Sequence, residues 1–194
     1  DNLPEITSGQ VFTIDENEIS VGNVIATDKD GDILDFSISG NELTISSAGE
    51  LAFIEAANYE EKNIYEAVVS VTDGQNIIVQ EITINVNNVN EFEPVITLEG
   101  GGGQTLRVPV EENQTSIITV TASDEDGDEL TYSLEVGANS ELFNIDNNGV
   151  LSFKQAQDYE NPPIIYQGTR QIGVVVNVSD GLYTARQPIG VEVI

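Results

Sequence analysis

Apolar side chains recur at every second position through much of this chain. Leu34, Phe36 and Ile38, then Ala67, Val69 and Val71, then Ile82, Ile84 and Val86 each put alternate residues on one face. The pattern returns later with Leu130, Tyr132 and Leu134, with Ile172, Val174, Val176 and Val178, and with Ile189, Val191 and Val193. A repeat of two is that of a half-buried strand, whereas a helix would repeat every 3.6 residues. Gly, Asn and Asp turns separate the runs, and no stretch has the pattern of a long amphipathic helix. Short strands with one apolar face predict an all-β fold built as an antiparallel sandwich.

The polar segments between the strands repeat as well. Asp28-Lys29-Asp30-Gly31-Asp32 aligns with Asp124-Glu125-Asp126-Gly127-Asp128 at an offset of 124 − 28 = 96. Glu16-Asn17 then lies over Glu112-Asn113, Gly49-Glu50-Leu51 over Gly149-Val150-Leu151, and Asn58-Tyr59-Glu60 over Asp158-Tyr159-Glu160. Thr72-Asp73-Gly74 lies over Ser179-Asp180-Gly181, where the offset has grown to 180 − 73 = 107, so insertions fall between the anchors. An internal repeat of this kind divides the 194 residues into two modules, 1–91 and 92–194. Asn88-Val89-Asn90-Glu91-Phe92-Glu93-Pro94 connects them, because polar residues take over after Val86 and Pro94 ends any sheet ladder. Gly100 to Gly103 falls inside the second module, ahead of Leu106, Val108 and Val110, and reads as a bulge or loop in a first edge strand.

Composition narrows the chemistry. Six bases against 34 acids give 6 − 34 = −28, which favours cations as partners and argues against nucleic acid and anionic membranes. The chain has no Cys and no His, so disulfides, thiolate or imidazole metal sites and Ser/His/Asp or Cys/His catalysis are excluded. No apolar run approaches the roughly 20 residues that span a bilayer, and no signal peptide opens the chain. A carboxylate pair could in principle hydrolyse a glycoside, but the prominent acids are taken up by the repeated motifs, so no enzymatic activity is expected.

Those motifs, in their order, resemble cadherin repeats, of the kind found in large bacterial surface proteins, and the resemblance covers essentially the whole chain. The family pattern is an acid in the first strand, an acid-x-Glu element, an AxDxD loop, a DxG turn and a DxNDN-x-P linker. Here these read as Glu16, Asn58-Tyr59-Glu60, Ala26-Thr27-Asp28-Lys29-Asp30, Asp73-Gly74 and Asn88 to Pro94. The resemblance implies two tandem Greek-key antiparallel β-sandwiches, cadherin- or immunoglobulin-like. It also implies Ca2+ at the junction of consecutive modules, held by Glu16 and Glu60, by Asn88, Asn90 and Glu91 with backbone oxygens near Val89 and Phe92, and by Asp124, Asp126 and Asp180. Calcium takes six to eight hard oxygens at about 2.3–2.6 Å, a mixture that these side chains supply. Asp1-Asn2-Leu3-Pro4 matches the end of a linker, which implies a preceding module and a partial site at Asn2, Asp28, Asp30 and Asp73. Glu112, Asp158 and Glu160 would be the base of a further site.

Three positions depart from the family pattern: Asn58 and Asn88 stand where aspartates are usual, and Glu91 has a longer arm. Six junction carboxylates remain, so two calcium ions bring the local charge to −6 + 4 = −2 and three bring it to zero. The outermost position, formed by Glu16, Glu60, Glu91 and Asn58, is expected to bind most weakly. Asp32 and Asp128 read as turn-capping residues, and Tyr59 and Tyr159 as core or shelf residues rather than sugar platforms. An EF-hand is excluded because Ile33 and Glu129 occupy the sixth loop position, where Gly is needed.

The function expected is a calcium-dependent extracellular adhesion or spacer segment, secreted or on the cell surface. Its partners are calcium, further modules of the same chain and, for homophilic adhesion, identical molecules. Without metal, each pair of like charges at 4 Å costs on the order of 4 kcal/mol at an effective dielectric of 20, so the modules would splay. The tryptophan exchange of vertebrate cadherins has no tryptophan here. The alternative is a calcium-dependent module that binds surface polysaccharide (carbohydrate binding).

Overall fold

The computed structural model describes residues 2–100, 104–137, 139–161 and 171–194. Asp1 and Gly101 to Gly103, on which part of the sequence reading rests, lie outside them. The chain divides into two compact units, Asp1–Val89 and Asn90–Ile194.

The first unit contains β1 (Glu5–Ile6), β2 (Val11–Asp15), β3 (Ser20–Asn23), β4 (Ala26–Thr27), β5 (Asp35–Ile38), β6 (Leu43–Ile45), β7 (Glu50–Phe53), β8 (Ile64–Thr72) and β9 (Ile77–Asn87). They form a four-stranded sheet ordered β2-β9-β8-β5, a three-stranded sheet β3-β7-β6 and a short pair β1-β4. The second unit repeats this set with β10 (Val95–Ile96), β11 (Leu106–Val110), β12 (Ser116–Thr119), β13 (Ala122–Ser123), β14 (Thr131–Leu134), β15 (Phe143–Ile145), β16 (Val150–Phe153), β17 (Gln171–Ser179) and β18 (Thr184–Val193). Its sheets are β11-β18-β17-β14, β12-β16-β15 and β10-β13, and Ser140–Leu142 forms a 3-10 turn.

Period-two alternation explains how the layers meet. Ala67, Val69 and Val71 on β8 and Ile82, Ile84 and Val86 on β9 face inward and pack with Leu43, Leu51 and Phe53 of the other sheet. Val174, Val176, Val178, Ile189, Val191 and Val193 meet Phe143, Leu151 and Phe153 in the same way in the second unit. Each unit therefore buries its own apolar core, and the all-β sandwich expected from the pattern is present in both. Val69, Val71, Ile84, Val176, Val178, Leu151 and Val191 are wholly inaccessible to solvent. Truncating such residues costs about 2–5 kcal/mol.

The structure departs from the antiparallel expectation at one strand in each unit. β2 runs parallel to β9, with Val11 opposite Thr83 and Asp15 opposite Asn87, and β11 runs parallel to β18, with Val110 opposite Val193. The reason lies in the route of the chain. β1 first pairs antiparallel with β4, and the chain then crosses to the edge of the four-stranded sheet, where it joins the last strand in the same direction. Alternation of side chains cannot report this, because parallel and antiparallel edge strands have the same period. The consequence is functional: parallel pairing delivers the residue after β2 to the sheet end where β9 stops.

Two glycines fix the packing of the short strands. Gly49, at φ +80°, and Gly149, at φ +76°, accept the N–H of Val24 and Val120 at 2.8 Å each. A Cβ would lie 2.1 Å from the Val24 carbonyl oxygen at the first position and 2.2 Å from that of Val120 at the second. Gly40 has φ +88° but open space around it. Gly40→Ala is expected to cost about 1–2 kcal/mol from the left-handed backbone alone. Gly49→Ala adds backbone overlap, so its thermal transition should fall well below that of Gly40→Ala. Equal melting temperatures for the two variants would show that the close approach is absent.

Candidate metal centres

At one end of the first unit the parallel pairing of β2 and β9 sets the chemistry. Glu16 follows β2 directly, and its N–H donates to Asn87 O at 3.1 Å. Its side chain is only 2% exposed. Oε2 accepts the Tyr59 N–H at 2.9 Å and Oε1 accepts the Val89 N–H at 2.8 Å. A buried carboxylate persists only when hydrogen bonds or counter-charge replace its hydration. Asn17 stands in the left-handed region at φ 65° and donates to Ala57 O at 2.9 Å, which turns the chain away from the buried acid. Beside it, Asn58 Oδ1 accepts the Glu61 N–H at 3.0 Å. Glu60 and Asn88 are exposed on the same unit.

The second unit repeats the arrangement. The Glu112 N–H donates to Ile194 O at 2.9 Å, Asn113 has φ 61° and donates to Gln157 O at 2.8 Å, and Glu112 Oε2 accepts the Tyr159 N–H at 3.0 Å. Glu112, Asp158 and Glu160 each offer a carboxylate oxygen, all within 4.8 Å of one another. The Asn161 side chain, with the N–H groups of Asn161 and Glu160, holds the Asp158 carboxyl below its usual value. Tyr59 packs against its core, as expected, whereas Tyr159 is 37% exposed.

The loops at the start of each unit gather the remaining acids. In the first, Asp28 Oδ1 accepts the N–H groups of Asp30 at 2.7 Å and Gly31 at 3.2 Å, and Asp28 Oδ2 is buried without a hydrogen-bond partner. Asp30 accepts the Asn2 N–H at 2.6 Å and the Asn2 side-chain amide at 2.9 Å, and these two bonds, the backbone one foremost, hold its carboxyl below the usual value. Asp73 Oδ1 accepts the N–H groups of Gln75 and Asn76, and Asn76 also depresses its carboxyl. Asp28, Asp30 and Asp32 bring carboxylate oxygens within 4.8 Å.

In the second unit the same loop is more enclosed. Asp126 is 7% exposed, and its Oδ2 accepts the N–H groups of Glu91 at 2.9 Å and Phe92 at 2.8 Å. Asp180 Oδ1 accepts the N–H groups of Leu182 and Tyr183 at 2.6 Å each. Burial pushes the Asp180 carboxyl up, but these two donors and the Asn90 side chain outweigh it and leave it below the usual value. Asp128 shifts the other way: burial, then the charges of Asp124, Asp126 and Asp180, push it up. Four carboxylates thus sense one another in a single unit.

The donor set fits a hard cation. Asn90 Oδ1, Asp124 Oδ2 and Asp128 Oδ2 are buried oxygens with no hydrogen-bond partner. Buried acceptors without donors are costly, and a cation that takes oxygen ligands relieves that cost. The sequence gives Asp128 a turn-capping role; the structure puts one of its oxygens within 4.8 Å of oxygens of Asp124 and Asp126. Asp32 likewise stands with Asp28 and Asp30. The turn itself is closed by Asp124, whose Oδ1 accepts the Asp128 N–H at 3.4 Å.

Comparison with known proteins agrees with this architecture. Residues 94–189 match the family model described as Bacterial Ig domain. The chain is 29% identical over 195 residues to Cadherin-related family member 1 of Mus musculus, covering 93% of this chain and 20% of that protein. It is 30% identical over 196 residues to Cadherin-99C of Drosophila melanogaster, covering 93% of this chain and 11% of that protein. The chain thus spans a fifth or less of the length of these relatives. They are animal proteins, and they lend no support to the bacterial source or to the polysaccharide-binding alternative. Among solved structures, human Protocadherin-24 EC1-2 superposes with a TM-score of 0.75 at 19% identity, covering 100% of this chain and 98% of that one. The human Desmocollin-1 ectodomain gives 0.72 at 21%, covering 100% of this chain and 42% of that one. The fold is that of two cadherin-like domains.

The carboxyl shifts give a pH test. Because Asp158 has its folded value lowered, its contribution to stability is present above the unfolded carboxyl value and is lost as pH falls through the folded one. Under chelator, Asp158→Asn should therefore lower the melting temperature of the second unit at pH 7 and converge with wild type in strong acid. A deficit that persists unchanged down to pH 2 would mean the hydrogen bonds do not favour the ionised form.

Proposed function

We propose that this chain is a calcium-binding segment of an extracellular adhesion or spacer protein, with the ions bound where one module follows the next. The observation that carries this reading is the set of buried, unpartnered oxygens of Asn90, Asp124 and Asp128 beside the Asp126 carboxylate, which already anchors the linker N–H groups of Glu91 and Phe92. Likeness of 93% of the chain to Cadherin-related family member 1 and to Cadherin-99C supports it.

The residues divide the work. Glu16 and Asp126 orient the linker: Glu16 holds the Val89 N–H and Asp126 those of Glu91 and Phe92. Asn90, Asp124 and Asp180 supply amide and carboxylate oxygens from the second unit. Glu16 and Glu60, with Asn88 and Glu91 of the linker, are assigned to the same centre. Asn2, Asp28, Asp30 and Asp73 begin an equivalent centre toward a preceding module, and Glu112, Asp158 and Glu160 end one toward a following module. When bound, calcium supplies the positive charge that turns mutual repulsion of these carboxylates into attraction. The role is mechanical rather than catalytic. Its partners are calcium, neighbouring modules and identical molecules on an opposing surface.

Calcium should raise the melting temperature, because a ligand at a hundred times its dissociation constant contributes about 2.7 kcal/mol by mass action. Asp126→Ala should remove most of that increment. The comparison is of the rise on adding calcium within each variant, so a lower metal-free melting temperature does not confuse it. An undiminished rise in Asp126→Ala would place the metal elsewhere.

A further inference from the structure

We infer that Asp128 is a direct ligand of the cation held by the second unit, through the side-chain oxygen that the fold leaves without a partner. The inference rests on the calcium reading above and adds a carboxylate to the ligand set that the motif resemblance provides.

Geometry comes first. Oxygens bound to one calcium at about 2.3–2.6 Å can be no farther apart than twice that, roughly 4.6–5.2 Å. The carboxylate oxygens of Asp124, Asp126 and Asp128 lie within 4.8 Å of one another, inside that limit. Gly127, with φ +78° and open space on the side a Cβ would take, turns the chain between Asp126 and Asp128 so that the two acids are brought together. Without such a turn, residues two apart on an extended chain would sit some 7 Å from each other.

Hydrogen bonding then separates the roles within the loop. A turn-capping aspartate accepts N–H groups two or three residues further on. Asp28 Oδ1 does so toward Asp30 and Gly31, and Asp124 Oδ1 accepts the Asp128 N–H four residues on, as Asp28 Oδ1 accepts that of Asp32. The turn is thus already closed by the first acid of each loop. Asp128 Oδ2 is inaccessible to solvent and accepts no hydrogen bond, and so is Asp124 Oδ2. Two enclosed anionic oxygens that face neither water nor a donor are held in the fold against their own repulsion. A shared cation is the partner that satisfies both. The two copies differ here: Asp32, the counterpart of Asp128, is exposed, so the inference is drawn for the second unit.

Calcium titration calorimetry in 0.5 M KCl, on the whole chain, tests this. High salt shortens the screening length to a few ångströms, so an exposed charge a residue away has little influence. Asp128→Asn should weaken one binding step at least tenfold and leave the metal-free melting temperature equal to wild type or higher. Asp128→Ser, which keeps a turn-capping oxygen, should lose the same step. Glu129→Gln, an equal change of charge at the exposed neighbouring residue, should change no step by more than threefold. The inference is overturned if Asp128→Asn and Asp128→Ser bind calcium within threefold of wild type, or if Glu129→Gln weakens binding as much as they do. Calcium binding that Asp126→Ala loses and Asp128→Asn keeps would overturn this inference alone. A wild-type chain that takes up no calcium would overturn the underlying reading as well.

Discussion

A carboxylate taken out of water must find donors or a cation, and much of this structure is arranged around that requirement. Glu16 meets it with two backbone N–H groups, those of Tyr59 and Val89. Asp126 meets part of it with those of Glu91 and Phe92. Each acid therefore does more than carry charge, because it fastens a stretch of backbone that has no sheet ladder of its own. Hydrogen bonds to a charged acceptor contribute about 1.5–3 kcal/mol, more than neutral ones, which is why a few acids can order a loop that lacks apolar anchors.

The sandwich supplies the rigid frame that such anchoring needs. Inward-facing Val and Ile of β8, β9, β17 and β18 pack against the aromatic and leucine side chains of the shorter sheets, so strand ends stay fixed in space. The acids then project from those ends. The parallel strand at the edge of each larger sheet matters most, because it puts Glu16 beside the residues after β9 and Glu112 beside the end of β18. An antiparallel edge strand of the same composition would have delivered these acids to the opposite end of the unit. The same logic accounts for the positive φ of Asn17 and Asn113, which occur at matching places and turn the chain off the sheet just after Glu16 and Glu112.

The carboxyl groups of these clusters do not all respond alike, and the differences follow from what surrounds them. Asp30, Asp73 and Asp158 accept several N–H groups and are held in the ionised form. Burial, and then the charges of Asp124, Asp126 and Asp180, push Asp128 up, so its ionised form is opposed. Within the second unit Asp180, held down by its donors, and Asp128, pushed up, sense one another.

The repeat and the period-two alternation were enough, on their own, to determine the strands, the apolar face of each and the duplication of the unit. Hydrophobic burial is set by local pattern, and Phe36, Val71, Ile84, Val176 and Val191 occupy the faces their spacing requires. The acids Glu16, Asp28, Asp30, Asp124, Asp126 and Asp180 also stand out in the sequence, because order along the chain marks their positions twice. Direction and distance were not. Whether β2 runs with or against β9 depends on the path of the chain between sheets, which leaves no trace in alternation. Asp128 and Asp124 have the same chemistry and nearly the same neighbours in sequence, so only the folded loop shows that Asp124 accepts the turn N–H through Oδ1 while Oδ2 of each is sealed off without a donor. Hydrogen-bond satisfaction is a property of three-dimensional surroundings, and the tertiary structure alone decided it.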